Sequence, residues 1–298
     1  MSAAERAARH IDPLSPDGPD QPVSVARHGT TCTGRATRTR NFCLHRRDHR
    51  VEVTHWLAPE QLDNNLSGLL ADELFAPGWL SGIEVFERVF TGVVQSVLDD
   101  PLRAWTLFYD NTLERIRECW ARPADGAPHS SIADFAPVYR RAMRLAPPGR
   151  VLDLGSCFGF LPLLFAERGR YEIIASDLAP GSMRLLETVA GARGHRMRTL
   201  VCDAAQVPLP DDAVDTVTAM HLLEHLEPAR GEAVVAEALR LARDRVLIAV
   251  PFEDEPTSAF GHVRTFTSHD LADLGARTGL PHRVTEHHGG WLEIRTGR

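Results

Sequence analysis

Val151-Leu-Asp-Leu-Gly155-Ser-Cys-Phe-Gly159-Phe160 decides how this chain folds. Three apolar residues and one acid end a strand. Gly155 and Gly159 then make a tight turn, and a helix begins in Leu161-Pro-Leu-Leu-Phe165. Strand, glycine turn and helix in that order form a nucleotide-binding unit. A dinucleotide pyrophosphate needs glycine at the second fingerprint position so that backbone can approach it closely. Here that position is Cys157. The side chain fits better with a ligand that has no phosphates and carries a positive charge and an amino-acid tail, as S-adenosyl-L-methionine does.

Downstream, strands and helices alternate, which predicts a parallel sheet with crossover helices. The expected strands are 150–154, 172–176, 198–202, 214–220 and 245–250. Two late segments, 283–287 and 291–295, are joined by Gly289-Gly290 and read as an antiparallel hairpin. Asp177 closes the second strand, where a carboxylate can accept both ribose hydroxyls. Asp203 and Ala204 close the third, placed for an adenine amino group and ring face. A glycine turn alone is weak evidence. Four elements in order, about one strand–helix unit apart, are strong.

With 298 residues the chain can hold one large domain, or one domain and a smaller one. A hydrophobic share of 43% is that of an ordinary globular protein. A net charge of −7 gives a nucleic-acid partner no global support. All 33 basic residues are arginine, which excludes a lysine base or Schiff base. Cys32, Cys43, Cys119, Cys157 and Cys202 are odd in number and scattered without a CxxC pair, so neither a disulfide framework nor a thiolate zinc site is expected. No apolar run approaches a bilayer span and no signal-peptide stretch is evident, so a cytoplasmic location and no membrane partner are expected.

Residues 1–50, rich in Pro, Ser, Thr, Gly and Arg, read as a mostly disordered tail. Residues 51–148 read as a helical cap. Apolar residues at three- and four-residue steps mark 82–98 as a helix, and 104–120 and 132–145 as two more, with a bend expected near Asp110 or Asn111. Trp56, Trp79, Trp105, Phe108, Tyr109 and Trp120 are candidates to stack on a substrate, although core packing is the commoner fate of such rings. The cap is expected over the C-terminal edge of the sheet, where open α/β folds bind ligands.

These motifs resemble the class I S-adenosylmethionine-dependent methyltransferases, over residues 149–298. The resemblance implies an α/β, Rossmann-like sheet of seven strands with the last antiparallel. It also implies Asp153, Gly155, Ser156, Cys157 and Gly159 around the methionine, with His221 nearby, Asp177 and Leu178 on the ribose, and Asp203 and Ala204 on the adenine. The fourth strand ends in His221-Leu-Leu-Glu224-His225. His-x-x-Glu-His is a zinc-protease pattern when inside a long helix, but here it follows a strand. Glu224, His225 and His262 are the candidate catalytic groups. Either His225 or His262 serves as base, or His221, Glu224, His225 and His262 hold a divalent ion, or the histidines are structural. Alcohols are poor nucleophiles at neutral pH and gain from a base or metal, so several histidines here favour an oxygen acceptor.

Leu57-Ala-Pro-Glu-Gln-Leu-Asp-Asn-Asn65, Asp72-Glu-Leu-Phe-Ala-Pro-Gly-Trp79, Pro251-Phe-Glu-Asp-Glu-Pro256, Gly261-His-Val-Arg264 and His288-Gly-Gly-Trp291 are further marked runs. Together they resemble the mycofactocin oligosaccharide methyltransferase family of actinobacteria, across residues 51–298. This implies O-methylation of a glucose hydroxyl on a glycosylated, peptide-derived small molecule. Two other expectations compete: methylation of a quinone-like or polyketide hydroxyl, and a non-catalytic nucleotide-sensing module.

Overall fold

Two compact units divide the chain, one from Ala8 to Ala136 and the other built on Pro137–Arg298. The computed structural model describes residues 12–14, 21–27, 32, 36–47, 50–122, 131–257 and 261–297.

In the N-terminal unit, β1 (Val23–Arg27), β2 (Thr37–Arg38), β3 (Phe42–Arg47) and β4 (Arg50–His55) form a sheet in the order β1-β4-β3-β2. The described part of 1–50 is therefore largely strand, a correction to the disordered tail expected there. Each strand is short, and only one end of β3 is apolar: Phe42, Cys43 and Leu44 are buried while Arg46 and Arg47 are exposed. Residues 1–11 lie outside the described residues. Cys32 and Cys43 form a disulfide, which corrects the reading of unpaired cysteines. Antiparallel pairing of β2 with β3 returns the chain towards Cys43, and spacing alone does not show it.

Helices α1 (Leu66–Leu70), α2 (Ile83–Ser96) and α3 (Pro101–Ala121) follow. The last starts on Asp100, whose carboxylate accepts from the Leu102 and Arg103 N–H groups. It runs unbroken past Asp110 and Asn111, so the expected bend is absent. Asn111 instead donates its amide to the carbonyls of Pro59 and Leu62. Trp105, Phe108 and Tyr109 are fully buried and pack edge to face, so they build the core of this unit and cannot stack on a ligand. Trp79 is 41% exposed.

His55, at the end of β4, is fully buried. Its Nδ1 accepts from the Leu57 N–H, and Nε2 lies 2.8 Å from Ser96 Oγ, which requires the neutral ring. Burial, reinforced by the Arg27 charge, holds its pKa down to about 4. In the unfolded chain His55 protonates near 6.5, so the unfolded state gains a proton that the folded state refuses. Stability present above pH 6.5 is lost as pH falls towards 4, by about 3 kcal/mol at most. Urea unfolding followed by tryptophan fluorescence should show this loss between pH 7 and 4.5. A His55→Gln chain, less stable at pH 7, should lose clearly less over that interval; equal slopes would remove His55 as the cause.

The boundary between the units falls inside α4 (Ser131–Leu145), at Pro137, which lacks the N–H that a helix interior needs. Residues 137–148 belong with the second sheet and not with the preceding helices, contrary to the boundary expected at 148. Arg245 donates to the Leu145 carbonyl, Tyr171 to that of Ala146, and the Arg141 guanidinium lies over the Trp291 ring.

The C-terminal unit alternates β5 (Gly149–Leu154), α5 (Phe160–Ala166), β6 (Tyr171–Asp177), α6 (Pro180–Ala192), β7 (Arg198–Val201), β8 (Val214–Met220), α7 (Pro228–Leu241), β9 (Ala242–Val250), α8 (Ser268–Arg277), β10 (His282–Glu286) and β11 (Gly290–Arg295). Its seven strands lie in the order β7-β6-β5-β8-β9-β11-β10, with β11 antiparallel to both neighbours. This is the Rossmann-like class I methyltransferase fold. Leu152, Leu154, Val217, Val246, Ile248, Leu292 and Ile294 are buried, as expected of strands covered on both faces. Strand order reverses between β5 and β8, so a crevice opens at their carboxyl ends. Among the described residues, no helix is long and apolar enough to cross a membrane.

Candidate functional site

The turn after β5 is shaped by left-handed residues. Gly155, Cys157 and Gly159 have φ of +69°, +52° and +72°. A Cβ on Gly159 would stand 2.3 Å from Leu186 Cδ2, and one on Gly155 would stand 2.8 Å from Leu222 Cδ1. Both positions need glycine for conformation and for space. Cys157 pays the left-handed strain at a position that usually favours glycine, and its N–H donates to Asp177 Oδ2 at 2.9 Å. Ser156 donates its N–H to the Ser176 carbonyl, which ties the turn to β6.

Asp177 is the hub of this arrangement. Oδ2 holds the turn through Cys157, and Oδ1 accepts from the Ala179 N–H at 2.9 Å. A carboxylate has about four lone-pair positions, so two backbone bonds leave acceptor capacity on both oxygens. One cleft joins Gly155, Asp177, Leu178, Asp203 and Ala204, as expected from the sequence. Leu222, Leu226 and Val234 supply apolar walls. Arg230, on α7, also lines the cleft and pairs with Asp203 Oδ2, while Asp203 Oδ1 accepts from the Ala205 N–H. No sequence signal marked Arg230; the fold of α7 across the cleft brings it there.

The other expected residues are placed differently. Asp153 is buried under the turn, where Thr218 donates to Oδ1 at 2.6 Å, and burial raises its pKa to about 6. It supports the turn from below and does not line the cleft. Ser156, Cys157 and Gly159 shape the turn without lining the cleft either. His221 leaves β8 with φ +53° and turns towards Glu224, its Nδ1 standing 3.4 Å from Oε1. It is therefore not a cleft residue, and burial holds its pKa down to about 4.

After β8, Glu224 and His225 sit in one short turn, Leu223–His225. The Val263 N–H donates to the Glu224 carbonyl and pins the 261–264 loop beside it. His225 and His262 then meet edge to face with centroids 4.8 Å apart. His262 Nδ1 lies 2.7 Å from Glu253 Oε2, and Thr257 donates to Glu253 Oε1. The sequence flagged the run containing Glu253 but not its contact with His262, nine positions further along the chain. His225 Nδ1 stands 3.3 Å from the Gly261 carbonyl. The Glu224 carboxyl is fully buried, and burial pushes its pKa up to about 8. Arg264 packs its guanidinium over Phe266.

Residues 151–245 match the family described as a methyltransferase domain. A demethylmenaquinone methyltransferase of Thermus thermophilus is 36% identical over 142 residues, 46% of this chain and 64% of that protein. An ajmaline N-methyltransferase of Rauvolfia serpentina is 28% identical over 105 residues, 35% of each chain. The chain thus spans less than two thirds of the curated relatives it matches. The crystal structure of a magnesium protoporphyrin IX methyltransferase from Synechocystis with bound S-adenosylmethionine has a TM-score of 0.44 at 18% identity, covering 64% of this chain and 96% of that one.

Proposed function

We infer that this chain, whose residues 151–245 match the methyltransferase-domain family, is a class I S-adenosylmethionine-dependent methyltransferase that transfers a methyl group to a hydroxyl of a small molecule. The observation that carries the reading is the meeting of Asp177 and Asp203 in one cleft where the strand order reverses. Asp177 holds the ribose diol through its remaining lone pairs. Asp203 and Ala204 meet the adenine, with Leu226 and Val234 against its ring. The left-handed turn at Gly155–Gly159 leaves room for the methionine end.

Bound S-adenosylmethionine supplies a methyl carbon already activated by its sulfonium. Positioning therefore provides much of the acceleration, and what remains is the acceptor's proton. The Glu224–His225–His262 cluster meets that need. Glu253 orients the His262 ring through Nδ1, so Nε2 is the nitrogen that faces chemistry. As the oxygen–carbon bond forms and the carbon–sulfur bond breaks, the hydroxyl proton passes to this cluster.

The acceptor assigned here is a glucose hydroxyl on the oligosaccharide of mycofactocin. That choice is supported by the likeness of the 57–65, 72–79, 251–256, 261–264 and 288–291 runs. A quinone-like acceptor is the second reading, favoured by the demethylmenaquinone methyltransferase relative. The Glu224–His225–His262 cluster, which ligand binding alone does not need, weighs against a silent nucleotide sensor. Calorimetric titration with S-adenosylmethionine and, separately, NAD tests the ligand: micromolar binding of the first alone is expected. Incubation with methyl-labelled S-adenosylmethionine and each acceptor class then tests the reaction. Label on the glucan supports the first reading, label on a quinone the second, and binding of NAD instead removes both.

A further inference from the structure

We propose that Glu224, His225 and His262 form a binding site for one divalent first-row transition ion of the Zn²⁺ or Mn²⁺ kind. One donor atom from each residue lies within 4.8 Å of the others. The strongest observation is Glu224. Its side chain is 1% exposed, and apart from the long 3.4 Å approach of His221 Nδ1 to Oε1, neither carboxylate oxygen has a hydrogen-bond partner among the described residues. An unbonded buried carboxylate is costly, and buried acids are normally paired or coordinate metals.

The histidines are prepared in the manner of ligands. His262 is oriented by Glu253 at Nδ1, and Glu253 is steadied in turn by Thr257. His225 Nδ1 faces the Gly261 carbonyl. A carboxylate or carbonyl on one ring nitrogen fixes the tautomer and turns the other nitrogen to the metal. The Val263 N–H bond to the Glu224 carbonyl holds the two contributing loops together before any ion arrives. Donor atoms around an ion at about 2.1 Å stand roughly 3–4 Å apart, so a closure of about an ångström completes the set. Two imidazoles and one carboxylate favour a transition ion over Mg²⁺ or Ca²⁺, which prefer all-oxygen shells.

His225 is solvent-exposed while Glu224 is buried, so the site is closed on one side and open on the other. Three protein ligands with an open position is the pattern of a catalytic site. If the methyl-transfer reading holds, an ion here would take over the role given above to the histidine lone pairs: the open position would receive the acceptor hydroxyl and lower its pKa, so that the proton leaves to solvent. Ion binding itself does not depend on that reading.

The test uses the full chain stripped with chelator and titrated with Co²⁺, Zn²⁺, Mn²⁺ and Mg²⁺ by calorimetry, with the Co²⁺ visible spectrum as a second readout. One equivalent per chain at micromolar affinity is expected for the transition ions, with Mg²⁺ at least 100-fold weaker. Glu224→Gln and His262→Ala should each weaken Co²⁺ by at least 30-fold, and Glu253→Gln by about 10-fold. Unchanged S-adenosylmethionine affinity in each variant shows that the fold survived, and it separates this proposal from the ligand assignment. Cys32, Cys43 and His45 form the other metal-capable group among the described residues. His45→Ala should therefore leave Co²⁺ binding unchanged. No binding in the parent chain overturns the proposal, as does binding kept in His262→Ala and lost in His45→Ala, or a preference for Mg²⁺.

Discussion

Asp177→Ala is expected to raise the dissociation constant for S-adenosylmethionine by at least about 100-fold. Two charge-assisted hydrogen bonds to a ribose contribute roughly 1.5–3 kcal/mol each, so their loss alone predicts a factor on the order of 10² to 10⁴. A second effect adds to it. The same carboxylate fixes the Cys157 and Ala179 N–H groups, so its removal frees a turn already held in left-handed backbone. Asp177→Asn keeps one carbonyl oxygen and should fall between the two. Calorimetry measures the affinities, and thermal unfolding reports how much the turn contributes to stability. An affinity unchanged in Asp177→Ala would sink the ribose assignment.

The second large effect concerns turnover. His262→Ala should lower kcat by about 10² to 10⁴, the usual range for a lost proton acceptor, with S-adenosylmethionine affinity within twofold of the parent. His225→Ala should behave alike, because the two rings form one cluster. Glu253→Gln touches neither ligand and acts only through the orientation of His262, so a smaller fall in kcat is expected from it. Single-turnover kinetics with saturating S-adenosylmethionine separates the chemical step from binding. Normal turnover in both histidine variants would place the acceptor's proton elsewhere.

The C-terminal sheet was legible because its strands are apolar runs buried on both faces and punctuated by glycine. Strand ends expected from 150 onward agree with the structure within a few residues, including the final hairpin. Acids at strand ends were legible for the same reason: topology alone brings Asp177 and Asp203 to one crevice. Asp153 shows the limit of that argument. Its place in the motif suggests ligand contact, but its side chain points at Thr218 and serves the turn. Arg230 and Glu253 were silent because each reaches its partner through tertiary closure that no local pattern encodes. In the N-terminal unit, β1 to β3 are short and carry arginine, serine and threonine. Pairing of β1 and β3 with β4, and of β2 with β3, supplies what the local sequence lacks.

The placement of the unit boundary at Pro137 matters for anyone dividing the gene. A fragment begun at Gly149, where the nucleotide-binding strand starts, would keep every acid of the cleft. It would also discard Arg141 from the Trp291 ring and the carbonyls of Leu145 and Ala146 that receive Arg245 and Tyr171. Trp291 and Arg245 lie on β11 and β9, and Tyr171 opens β6 beside the motif strand, so the loss would fall on both halves of the sheet. An excised C-terminal unit is better begun before Ser131, with the whole helix retained as its first element.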